Sequence, residues 1–89
     1  MKLIKENEKG KTYQAKGFKI LYRYKDTVSG DNEINEYELI YLIRGRAEIT
    51  IKDKTEILEA PAKFEIPERT YHKIKAITDI DFLIFNKKE

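Results

Sequence analysis

Large apolar side chains alternate with polar ones along most of the chain, and no window carries an apolar stripe at helical spacing for more than two turns. Phe18, Ile20, Tyr22 and Tyr24 alternate with Lys19, Leu21, Arg23 and Lys25. That predicts a strand with four large side chains on one face and a mostly charged face opposite. Residues 26–35 are polar and include Ser29-Gly30-Asp31-Asn32, which reads as a loop long enough to form a pocket rim. A strand is predicted over 36–44, ending at Gly45, where the backbone needs a conformation other residues avoid. Ala47, Ile49 and Ile51 then alternate with Glu48, Thr50 and Lys52, and Asp53-Lys54 turns the chain back into a strand over 55–59. Ala60-Pro61-Ala62 interrupts that ladder, and short strands follow over 63–66, 71–77 and 80–85.

Two of these strands are apolar on both faces. Leu39, Tyr41 and Ile43 lie opposite Ile40 and Leu42, and Leu83 and Phe85 lie opposite Phe82 and Ile84. One face of each suits a barrel interior; the other needs a second sheet or a partner subunit, which makes a homodimer the expected assembly. The whole pattern predicts an all-β domain over 1–89, with about seven or eight antiparallel strands in a sandwich or small barrel. Residues 18–85 form the barrel, and 1–15 are expected to add an edge strand.

Composition narrows the chemistry. Among the 89 residues there is no cysteine, so disulfides, thiolate metal sites and reactive-thiol catalysis are excluded, and any metal must be held by His, Asp or Glu. Eighteen basic and 16 acidic residues leave a net charge of +2 with both signs interspersed, which does not point to nucleic acid. Met1 to Glu6 lack the apolar run of a secretory signal, and no stretch approaches a membrane span, so a cytoplasmic protein without membrane contact is expected. No glycine-rich phosphate loop and no nucleophile elbow is present, and Ser29 has no neighbouring base.

His72 is the single histidine, and its parity with Ile74 and Ala76 turns it towards the apolar face. It reads either as a neutral core histidine holding one hydrogen bond or as a ligand or general base on a pocket floor. Glu38 shares parity with Ile40 and Leu42, and a carboxylate facing inward is costly unless paired or hydrated, which marks it as a functional pointer.

The order of signals Glu38-Leu39-Ile40-Tyr41-Leu42-Ile43-Arg44-Gly45, a hairpin, and then Phe64-Glu65-Ile66-Pro67-Glu68-Arg69-Thr70-Tyr71-His72 resembles the small single-domain cupins. In that family one motif places Glu six residues clear of a Gly, as Glu38 and Gly45 are placed, and a second places His five residues after Pro, matching Pro67 and His72. The resemblance spans about residues 18–85 and implies an antiparallel jelly-roll barrel with Glu38 and His72 in one central pocket. Metal-binding members carry a His-x-His pair shortly before the Glu; here those positions fall on Asp31 and Glu33 or on Asn32 and Ile34. Pro61 and Arg69 stand where the second motif carries glycines.

The first functional expectation is a small-molecule-binding barrel whose pocket is lined by Tyr22, Tyr24, Glu38 and His72. The second is a metal-dependent enzyme of the sugar isomerase, lyase or dioxygenase type, with a divalent ion held by His72, Glu38, Glu33 and Asp31, a donor set of one imidazole and three carboxylates. The third is a dimeric protein-interaction module with a filled interior. Arg44 and Arg69 sit near turns and are expected in solvent.

Overall fold

The computed structural model describes residues 1–87. Ten strands run in order: β1 (Lys2–Asn7), β2 (Gly10–Ala15), β3 (Phe18–Arg23), β4 (Val28–Asn32), β5 (Glu38–Arg44), β6 (Arg46–Ile51), β7 (Lys54–Glu59), β8 (Ala62–Ile66), β9 (His72–Ala76) and β10 (Ile80–Phe85). They form a six-stranded sheet in the order β1-β2-β3-β10-β5-β8 and a four-stranded sheet in the order β4-β9-β6-β7, which face each other as a jelly-roll sandwich. Among the described residues none is helical, and no helix is long and apolar enough to cross a membrane.

The core lies between the sheets, where the period-two pattern puts one side of every central strand. In the six-stranded sheet Leu42 pairs with Phe82 and Ile40 with Ile84. In the four-stranded sheet Ile49 pairs with Ile74 and Ala47 with Ala76. Phe82, Ile40, Leu42, Ile66 and Ile80 are the largest fully buried side chains, each contributing about 1.5–3 kcal/mol by leaving water. The chain crosses between sheets at Gly45, whose φ of 89° and contact with the Asp79 carbonyl leave no room for a Cβ.

The outer face of the six-stranded sheet is covered by its own aromatic side chains. Phe18 stacks on Phe85 at 5.0 Å between ring centroids, and Tyr41 meets Phe85 edge-on at 5.8 Å. Leu39, on the same face, is buried. This cluster explains the two-faced strands in part, although Ile43 remains exposed.

Several expectations change. Residues 1–15 give a hairpin of two strands, β1 and β2, where one edge strand was predicted. The predicted loop over 26–35 contains β4, which pairs with β9 through a bulge at Asp31. The β6–β7 turn is Lys52-Asp53, one residue earlier than predicted, with Lys52 at φ 58°. In β3 the buried residue is Leu21, so the polar-looking face is the inner one and Phe18, Ile20 and Tyr22 face outward.

Candidate functional site

A cavity of about 320 Å³ opens between the sheets, where β4 and β9 approach β3, β10 and the start of β5. Leu21, Ile74, Phe82 and Ile84 form its apolar wall, and Arg23, Glu38, His72, Asn32, Asn35 and Ser29 supply polar groups. Strand register places them. Leu21 pairs with Phe82 across β3 and β10, and Asn32 pairs with His72 across β4 and β9.

His72 is 4 % exposed, and its Nδ1 lies 3.0 Å from the carbonyl oxygen of Thr70. A carbonyl only accepts, so Nδ1 carries a proton and donates, leaving Nε2 free of any described protein partner. Gly30 makes room for this ring: a Cβ there would stand 2.8 Å from Cδ2 and 2.9 Å from Nε2 of His72. The Thr70 carbonyl is itself positioned. The Asn35 side chain accepts from the Thr70 amide at 3.1 Å and donates to the Pro67 carbonyl at 2.8 Å, while the Asn35 carbonyl accepts from the Arg69 amide at 2.8 Å. Asn35 thus ties the segment between β4 and β5 to the turn before His72.

Glu38 stands at the start of β5, and burial pushes its carboxyl above the ordinary carboxylate range; His72 and then Lys19 pull it back, and Glu36 adds to the rise. Arg23, at the end of β3, donates from Nη1 to the carbonyls of Lys11 at 2.9 Å and Tyr22 at 3.0 Å, and from Nη2 to Thr12 Oγ1 at 2.9 Å. Its Nε is buried without a protein partner, and burial lowers the pKa of the guanidinium, which nonetheless stays protonated.

Glu38 and His72 therefore line one cavity, whereas Tyr22 and Tyr24 do not. Tyr22 packs edge-on against Tyr13 on the outer face at 5.7 Å, and Tyr24 lies beyond β3, exposed. Asp31 accepts a 2.6 Å hydrogen bond from the Tyr71 hydroxyl, and Glu33 is exposed. Arg44 pairs with Asp81 through two bonds of 2.8 and 2.9 Å, and Arg69 is exposed beside Glu68. The sequence reading missed Arg23, Asn35 and Gly30. Arg23 was signalled by its parity with Leu21, a cue overridden by the larger aromatic set beside it.

No family model and no curated protein matches the sequence. Solved structures do match in three dimensions. A cupin superfamily protein from Desulfitobacterium hafniense superposes with a TM-score of 0.72 at 14 % identity, covering 98 % of this chain and 74 % of that one. The fold is that of a cupin. The capsular polysaccharide assembling protein CapF from Staphylococcus aureus gives 0.79 at 13 % identity over 99 % of this chain, and salicylate 1,2-dioxygenase from Pseudoaminobacter salicylatoxidans, solved as adducts with gentisate, gives 0.71 at 16 % over 76 %. This chain spans only 29 % of CapF and 19 % of the dioxygenase.

The four-residue metal set expected from the cupin motifs does not assemble. Among the described residues no group of three His, Cys, Asp or Glu side chains could hold a metal ion. Asp31 is turned to Tyr71 by the bulge in β4, and the cavity holding Glu38 and His72 also presents the Arg23 cation, which opposes a divalent ion. One imidazole, one carboxyl and a guanidinium suit a polar organic ligand better than a hard or borderline metal.

Proposed function

We propose that this cupin domain binds a small organic molecule in the cavity between its sheets. The observation that carries the reading is the convergence, on one apolar wall, of three differently polarised groups: the Arg23 guanidinium, the Glu38 carboxyl and Nε2 of His72. A few convergent polar groups in an apolar hollow are what fixes the orientation of a small ligand. A metal-dependent reaction is not proposed, because the donors it needs stand apart. The test is a thermal-shift and ligand-observed NMR screen of small organic acids, amides and sugars, repeated with Glu38→Gln and His72→Ala. Hits lost in both variants while the β-type circular dichroism spectrum persists support the reading. Hits retained in both, or elemental analysis showing a stoichiometric metal, would overturn it.

For assembly we propose a homodimer that uses β1. All six of its residues are exposed, its outer edge is unpaired, and Leu3 and Ile4 present apolar side chains. Sedimentation should show a dimer that Ile4→Lys converts to monomer. A wild-type monomer throughout the micromolar range would end the proposal.

A further inference from the structure

Arg23 is placed as a docking group more than as a structural ion pair. Of the five N–H bonds of a guanidinium, the two on Nη1 are taken by the carbonyls of Lys11 and Tyr22, and one on Nη2 by the Thr12 hydroxyl. The Nε donor is buried without an acceptor from the protein, and no carboxylate of the described residues stands within ion-pair distance of the group. All three acceptors are neutral, so they hold the guanidinium in place and leave its charge uncompensated. A half-buried cation in that state gains most from an anionic acceptor, because a charge-assisted bond to the guanidinium supplies the missing countercharge.

The surroundings limit which anion fits. Glu38 shares the cavity and opposes a doubly charged ligand, while Leu21, Ile74, Phe82 and Ile84 offer an apolar wall that inorganic phosphate or sulfate would leave unused. Resting on the small-molecule reading above, we infer that the ligand is a small monocarboxylic acid, its carboxylate on Arg23 and its hydrocarbon body against that wall.

The experiment compares each acid with its neutral amide on the intact protein: benzoate with benzamide, and hexanoate with hexanamide, by calorimetry and ligand-observed NMR. At least one acid should bind tenfold or more tighter than its amide, and added salt should weaken the acid alone. Arg23→Gln should abolish that preference, and Arg23→Lys should keep part of it, since it retains the charge and loses the fork. The acid–amide comparison on the wild type needs no variant to fold. Amides binding as tightly as acids, or Arg23→Gln keeping the acid preference, would overturn the inference and leave the cavity reading standing. Failure of all four probes up to about 10 mM, a free energy under 3 kcal/mol, overturns it as well, and the cavity reading is then decided by the sugars and other neutral compounds of the screen.

Discussion

The cavity at His72 and the groove beneath the β6–β7 hairpin occupy the same sandwich, and they differ in the opposite sense from what size alone suggests. The groove is the larger, about 530 Å³ against about 320 Å³, and its floor of Ile49, Ile51, Leu58 and Phe64 is the more apolar. Yet every charged residue along it, Lys52, Asp53, Lys54, Glu56 and Glu65, is exposed and keeps its hydration. The smaller cavity instead buries an imidazole and half-buries a carboxyl and a guanidinium. Burial of ionisable groups carries a free-energy cost that the exposed charges of the groove avoid, which is why the proposed ligand site lies at this end of the barrel.

The contrast can be broken at its floors. Phe82→Ala removes a fully buried ring beside the His72 cavity and should cost about 3–5 kcal/mol, read from the urea midpoint; Phe64→Ala, on the partly buried floor of the groove, should cost well under half of that. Equal losses would show that the two hollows are energetically alike. Gly30→Ala probes the cavity from the other side. At φ 83° it strains the backbone and drives a methyl into the imidazole, for a loss of about 1–3 kcal/mol together with ligand binding. Gly17→Ala, at φ 89° with nothing within 4 Å, should show the backbone strain alone and leave binding intact.

The smallest effect is electrostatic. Burial raises the Glu38 pKa in the folded state, so the stabilisation that accompanies its protonated form is complete below the unfolded-state pKa and is lost as pH rises through the folded one. Stability measured against pH should therefore fall for the wild type across and just above the carboxylate range, and Glu38→Gln should flatten that slope. An unchanged slope would mean that Glu38 is as well hydrated as the charges along the groove.

Much of the barrel was readable from the alternation. β10 falls where its Ile80-Asp81-Phe82-Leu83-Ile84-Phe85 run predicts, and Glu38 and His72 reach the cavity because they share parity with Ile40 and Ile74, residues whose burial is unambiguous. Parity failed in β3, where the aromatic face is the outer one. Large side chains signal burial without saying under what, and the Phe18–Phe85–Tyr41 cluster buries them against each other on the far side of the sheet. β4 was illegible for a different reason. Val28-Ser29-Gly30-Asp31-Asn32 has the composition of a turn and becomes a strand only through its partner β9, with Gly30 and Asp31 both at positive φ. Arg23 owes its placement to the neighbouring strand β2, and Asn35 to the turn before His72, contacts distant in sequence that no local pattern encodes.

The exposed β1 has a consequence for how the molecule opens. It is hydrogen-bonded on one side only, to β2, whereas β10 is flanked by β3 and β5 in the middle of its sheet. Amide protons of β1 are released by fraying that leaves the rest of the sandwich closed, and those of β10 only when the whole domain unfolds. The six-stranded sheet thus has a breathing margin at β1 and a slow centre at β10, whose Phe82 and Ile84 line the cavity. A second subunit seated on β1 would slow exchange at that margin and nowhere near His72.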